Sequence, residues 1–371
     1  MKNILSLSVS LWLLAVAVSC TLNHEKQWGA ERWLEEFITL KGDDVYVGQT
    51  IWNEADLIFI DDHVIFGNAH DGKLFSLFVM ENDSLMFKGA FLNKGRGPFE
   101  LMDADIYYLK NNNILMLVGY NPLGKSIAIP LDNINNVLDT KTWVEIDYSD
   151  IGPIRAYCIH PIKDSVFLMQ IFEERNNMYA VFDVCRKTSK SYLSIFYPDN
   201  QSFTDGIKGK AYHGWTVKHP SRNQYVYSNM NSKYVTIFTL DDVNSLVKET
   251  IIFHQIPSYK INVDNRNVRF TGNHQGGNQI CVSEKYIYYA DPKFDLMDYE
   301  GSIRKNGFSP GYFKDVYVSD WEGKPLAKYR LDRPVCYLQS DLDGKYLYAF
   351  YIHEDSYESM MVRFELPKHI Y

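Results

Sequence analysis

Arginine is scarce in this sequence and unevenly placed. Of 371 residues only twelve are arginine, and four of these, Arg96, Arg155, Arg269 and Arg333, stand ahead of separate apolar runs. A guanidinium presents a planar fork of N–H groups that matches carboxylate or phosphate oxygens two at a time. Glu100, His213, Trp215 and His274 occupy the same kind of position. If the runs converge on one face, these residues form a candidate site for an anionic or polyhydroxylated ligand. The alternative is that the arginines are ordinary surface residues paired with neighbouring acids, and the sequence alone leaves both readings open.

Other motifs carry less. Gly119-Tyr120-Asn121-Pro122-Leu123-Gly124-Lys125-Ser126 matches the GxxxxGK[ST] pattern of a phosphate-binding loop. That loop works only when a helix follows, because the first amides of the helix hold the phosphate. Here Ile127-Ala128-Ile129-Pro130 follows, so a hairpin turn is predicted instead. His213 and His219 lie on one strand roughly 20 Å apart at about 3.3 Å per residue, too far to share an ion. His353, Glu354, Asp355 and Glu358 read as a solvated turn, and Asp341-Leu342-Asp343-Gly344 lacks the later ligands of a calcium loop. Neither a GxSxG elbow nor an HExxH helix is present. No metal site, cofactor or catalytic residue is therefore assigned.

At the N-terminus, Lys2 precedes an apolar run from Ile4 to Val18. The run is about 15 residues long, short of the roughly 20 that span a bilayer as a helix. It ends in Ala17-Val18-Ser19-Cys20, which predicts a signal peptide over 1–19 and a lipidated Cys20 as the first mature residue. The pattern resembles the bacterial lipobox, with Ala17 in place of the commonest leucine. Lipid chains would hold Cys20 in a membrane leaflet, and that anchor is the only membrane contact expected. Thr21-Leu22-Asn23-His24 lacks the acidic cluster that resembles a surface-export signal in Bacteroides-type lipoproteins. The expected location is the outer membrane, facing the periplasm.

The formal charge is −8, and loss of Lys2 with the signal peptide makes it −9. Nucleic acid is excluded as a partner, because phosphate binding needs clustered cations and none occurs here. Cys158, Cys185, Cys281 and Cys336 lie in or beside apolar runs without any CxxC pair. They read as buried small hydrophobes, with one or two disulfides as the alternative.

The elements that must position these residues are short strands. From Ala55 onward the chain alternates apolar runs with turn clusters, and the only helical stripe lies at 28–37. The runs group in fours whose first strands begin near Ala55, Ala104, Ala156, His213, Asn278 and Val335. Repeats of about 40 to 50 residues are typical of four-stranded propeller blades. The last group supplies three strands before the chain ends, and the run between Phe37 and Gln49 is the obvious donor of the fourth. The prediction is an all-β fold, a six-bladed β-propeller of four-stranded antiparallel blades closed by an N-terminal strand. It occupies 37–371, with a partly helical tether over 20–36, and a monomer is expected.

The segment GRGPFE at 95–100 resembles the glycine-rich signature of the TolB-like six-bladed propeller lipoproteins of Bacteroides-type bacteria. DWEGKPLAKYRLD at 320–332 and SDLDGKYLYAFY at 340–351 also resemble that family. Phe99 stands where the family favours glycine, so a loop of different shape is expected there. The resemblance implies the fold and an envelope compartment, and it implies no established reaction.

In such a propeller the loops between blades, and those between second and third strands, open on one face around the central channel. The longest of these, between Ala290 and Tyr312, carries Phe294, Met297, Tyr299 and Phe308 and reads as a lid or as an edge-packing insertion. Two functions stand. One is a non-catalytic module that binds a small-molecule, glycan or protein ligand at the channel mouth. The other is a glycan-processing hydrolase or lyase, built from acids that converge from different blades, which rests on fold analogy alone.

Overall fold

The computed structural model describes residues 36–47, 57–67, 72–119, 124–147, 156–163, 165–171, 177–184, 190–193, 195, 197–198, 205–241, 245–261, 268–271, 279–291, 301, 311–353 and 358–368. The segment read as a signal peptide, Cys20 and the expected tether before residue 36 lie outside them, as do Arg155, Cys185, His274, Phe294, Met297, Tyr299 and Phe308.

Strands dominate. β1 (Ile38–Leu40) and β2 (Gly42–Val47) precede the first blade, β3 (Leu57–Ile60), β4 (His63–Phe66), β5 (Lys73–Glu81) and β6 (Ser84–Lys94). After the short β7 (Glu100–Leu101), the second blade is β8 (Ala104–Leu109), β9 (Ile114–Gly119), β10 (Lys125–Pro130) and β11 (Val144–Asp147). The third is β12 (Ala156–Lys163), β13 (Val166–Ile171), β14 (Tyr179–Asp183) and β15 (Lys190–Tyr192). A helix, α1 (Asp205–Ala211), leads into the fourth, β16 (Gly214–Lys218), β17 (Gln224–Asn229), β18 (Tyr234–Leu240) and β19 (Leu246–His254). The hairpin β20 (Tyr259–Ile261) and β21 (Val268–Phe270) precedes the fifth, β22 (Ile280–Val282), β23 (Tyr286–Asp291), β24 (Phe313–Asp320) and the first half of β25 (Pro325–Ser340). The second half of β25, with β26 (Tyr346–Ile352) and β27 (Ser359–Glu365), forms the sixth. The inner strands β3, β8, β12, β16, β22 and β25 each contact the next, and β25 contacts β3, so the ring is closed.

Within each blade successive strands run antiparallel, and where the connection is short its residues suit a tight reversal. Asn82 and Asp83 both take positive φ, 47° and 65°, between β5 and β6, the backbone that a two-residue hairpin requires. Asp341 Oδ1 accepts from the amides of Lys345 and Tyr346, and Gly344 has φ 68°. Asp320 likewise accepts from Glu322 and Lys324, with Gly323 at φ 83°. The calcium-like DLDG sequence is thus a side-chain-capped turn, repeated from DWEG.

The buried side chains divide into six clusters, one between each pair of successive blades. The cluster between the third and fourth blades is rich in tyrosine, including Tyr179, Tyr212, Tyr225, Tyr227 and Tyr234. Their hydroxyls need partners when buried. Tyr179 pairs with Thr216 at 2.7 Å, and Tyr227 donates to the Tyr212 carbonyl at 2.5 Å. α1 was not anticipated, since two glycines in seven residues weaken its propensity. It forms because Ile207 and Ala211 pack into this same cluster.

Closure follows the expected route. β2 pairs antiparallel with β27 from Gly42↔Phe364 to Val45↔Met361 and gives the sixth blade its fourth strand. Gly42 is required there, because a Cβ would lie 2.4 Å from a Val362 methyl. Two further pairings exceed the expectation. β1 lies parallel to β25, with Ile38 opposite Tyr329, as a fifth strand on blade five. The end of β2 pairs with Ser84 and Leu85 of β6 in blade one. Residues 38–47 therefore strap three blades together.

Candidate functional site

The six inner strands surround a central cavity of about 680 Å³. Its polar lining comes from the positions where an inner strand breaks its apolar run. β8 contributes Asp105, Tyr107 and Tyr108, β12 contributes His160, and β16 contributes Trp215 and Lys218, with His219 directly after it. Gln279 comes from the entry to β22, Tyr312 from the entry to β24, and Cys336, Tyr337, Gln339 and Ser340 from β25. Trp215, at the start of β16, is 49% exposed at the mouth.

The opposite end is bridged. Lys110, just after β8, donates to Glu284 at 2.9 Å, and Glu284 sits in the turn after β22, across the ring. Asn111 donates to the Ser221 carbonyl at 2.5 Å, and Ser221 Oγ donates to Glu284 at 2.7 Å. The Glu284 amide donates to the Leu342 carbonyl at 3.0 Å. Second, fourth, fifth and sixth blades are thereby joined across the channel floor. Burial raises the Glu284 pKa, but hydrogen bonds from Lys110 and Ser221 outweigh it, and the carboxyl is held below its ordinary range. His219 Nδ1 accepts from the amides of Ser221 and Arg222, and Nε2 lies 2.8 Å from the donating Arg222 Nε and 3.1 Å from the Glu284 carbonyl. Burial and the Arg222 charge lower its pKa to about 4.

His160 differs. It is 3% exposed, and neither ring nitrogen has a hydrogen-bond partner. Each such buried group costs roughly 1–3 kcal/mol. Burial, then the Lys218 charge, depresses its pKa to about 3, so the ring is neutral at pH 7. The Tyr107 ring meets it edge-on at 5.2 Å, and Tyr107 donates to Asp105 at 3.3 Å. Lys218 is half-buried, donates to the Ile162 carbonyl at 3.3 Å, and has its pKa lowered by burial to about 8.

Of the candidates named from sequence, Trp215 lines this cavity, and Arg96, Glu100, His213, Arg269 and Arg333 do not. Arg333 bonds Asp44 at 2.8 Å, Asp332 at 3.2 Å and the Gly42 carbonyl at 3.0 Å, and lies over the Tyr351 ring. It clamps the closing strand. Arg269 is exposed on β21, and His213, half-buried just before β16, has its pKa lowered by burial. The described residues therefore form no ring of guanidinium groups at the channel: Arg333 is taken up by the closing strand and Arg269 stands on the β20–β21 hairpin.

Arg96 is exposed beside a second pocket of about 440 Å³, formed by the GRGPFE loop and the β9–β10 hairpin. Glu100 faces into its own loop and accepts from the Gly97 amide at 2.9 Å. A Cβ on Gly95 would meet that carboxylate, so a larger residue there would have to displace the Glu100 side chain. Lys125 bonds the Gly97 carbonyl at 2.6 Å and Glu145 at 3.1 Å, and the Phe99 amide donates to Glu145 at 2.7 Å. The lysine of the phosphate-loop pattern is thus a structural tie on β10. Phe99 corrects the expected change of loop shape: it takes φ 53° despite its side chain, and its ring packs on Trp143 at 6.4 Å.

Neither Cys281 nor Cys336 forms a disulfide. Sequence reading overlooked His160 and Lys218. A signal existed in a repeated His-Pro, within β12 in CIHP at 158–161 and directly after β16 in VKHP at 217–220. The repeat places polar residues where an inner strand is otherwise apolar.

A family model described as TolB-like 6-blade propeller-like matches residues 50–342. Among solved structures, a DUF4221 family member from Bacteroides vulgatus aligns with a TM-score of 0.52 at 12% identity, over 89% of this chain and 97% of that one. Raptor from Chaetomium thermophilum aligns at 0.42 and 11% identity, over 85% of this chain and 24% of its own. No curated protein matches.

Proposed function

The chain belongs to the TolB-like 6-blade propeller-like family, and from that membership we propose that it is an exported, lipid-anchored binding module whose central cavity takes a glycan-type ligand. One observation carries the reading: a cavity bridged at its floor and lined by Tyr107, Tyr108, Trp215, Tyr312 and Tyr337 together with the amides of Gln279 and Gln339. Concave sites with mostly apolar walls and a few placed polar groups are the usual form of ligand pockets. Aromatic faces suit the C–H faces of sugar rings, and amides suit their hydroxyls. No helix among the described residues is long and apolar enough to cross a membrane, which agrees with anchoring through Cys20 alone. The same reading places the protein at the outer membrane, facing the periplasm, as a monomer. Among the described lining residues Asp105 is the one carboxylate, whereas glycoside hydrolysis ordinarily needs two, so binding is favoured over catalysis.

The test is calorimetric titration of the mature chain with a panel of oligosaccharides. Trp215→Ala should weaken the best binder at least tenfold with an unchanged melting temperature, because the side chain is half exposed. A panel without any binder, or a Trp215→Ala chain that binds as well as the wild type, would refute this reading.

A further inference from the structure

We infer that the wall formed by Lys218 and His160 is a carboxylate subsite, so that the ligand of the central cavity is an acidic sugar, a uronic acid at the end of an oligosaccharide. This rests on the cavity being a glycan site and adds the charge of its ligand.

Lys218 is the one lysine or arginine among the described cavity-lining residues. An ammonium has three N–H donors. One reaches the Ile162 carbonyl at 3.3 Å, and no described carboxylate lies within ion-pair distance. Asp105, the acid of the same lining, accepts instead from Tyr107. A half-buried ammonium without a counter-charge is unfavourable, and an anion that enters the cavity supplies what the fold does not.

His160 points to the kind of anion. Its ring is buried, stands on the cavity wall, and has no protein partner at either nitrogen. A neutral imidazole offers one donor and one acceptor, which point away from each other across the ring. The ring must turn for its N–H to reach a ligand in the cavity, and that single donor then serves the second oxygen of a carboxylate held by Lys218, as a uronic acid presents it. The aromatic residues are suited to the remainder of the sugar, with Tyr107 against His160 and Trp215 nearer the mouth. The depressed pKa of Lys218, about 8, leaves most of it charged at neutral pH.

The experiment compares a galacturonate trimer, its methyl ester and a neutral galactose trimer of the same linkage, titrated at pH 7 into the full mature chain in detergent. The acid should bind at least tenfold more tightly than either neutral compound. Lys218→Met should abolish that preference while leaving neutral binding in place, and Lys218→Arg should retain part of it. His160→Phe should weaken the acid without lowering the melting temperature at pH 7, since it removes two unpartnered buried nitrogens. Equal affinity for acid and ester, or an undiminished preference in Lys218→Met, overturns the carboxylate subsite and leaves the glycan cavity standing. If none of the three binds, the subsite falls with the glycan reading itself. The ester comparison needs no variant, so a misfolded substitution cannot protect the idea.

Discussion

At the scale of the residue, Phe99 and His160 each hold a state that their chemistry disfavours. A left-handed backbone costs a residue with a Cβ roughly 1–2 kcal/mol, and Phe99 carries it at φ 53° while its ring contacts Trp143. Phe99→Gly relieves the strain and loses the ring, whereas Phe99→Ala keeps the strain and loses the ring. Thermal melts should rank Ala below Gly by about 1 kcal/mol, and the reverse order would mean that the strain is absent. For His160 the unfolded chain binds a proton as pH falls through about 6.5, while the folded ring resists until about 3. Protons therefore favour the unfolded state between those values, and stability drops by at most about 1.4 kcal/mol per pH unit. His160→Phe removes this contribution, so wild type should lose about 3 kcal/mol relative to the variant from pH 7 to 4. Parallel pH curves for the two chains would contradict it. Arginine spacing drew attention in the sequence because it is conspicuous in one dimension. The residues that meet at the axis are single polar interruptions of apolar strands, and only the His-Pro repeat marked them.

At the scale of the element, the strap of β1 and β2 decides whether the ring holds. Deleting residues 21–47 removes the fourth strand of blade six, the fifth of blade five and a pairing to blade one. The truncated chain should melt well below the full mature chain or fail to fold, and an unchanged melting curve would show that the pairings contribute nothing. Strand starts were legible because each turn has a local chemical cause, such as Asn82-Asp83 or the Asp341 and Asp320 caps. β1 and α1 were not, because their stability comes from tertiary contacts: Tyr329 across the sheet edge for one, the tyrosine cluster for the other.

At the scale of the molecule, six equivalent clusters hold one ring, and the proposed anchor is a single modified residue outside it. Cys20→Ser should move the protein from the membrane to the soluble fraction with its melting temperature unchanged, since the proposed anchor is the lipid on that one residue. Persistent membrane association would count against lipidation at Cys20. The bridge from Lys110 to Glu284 has a different consequence for any polymeric ligand. If the cavity takes a polymer that enters at Trp215, the bonds among Lys110, Asn111, Ser221 and Glu284 lie across its path at the far end, and an internal stretch of polysaccharide would not thread the ring. Such a protein would count free ends. At a fixed mass of polymer, occupancy would rise each time the polymer is cleaved, and the bound amount would report degradation rather than abundance.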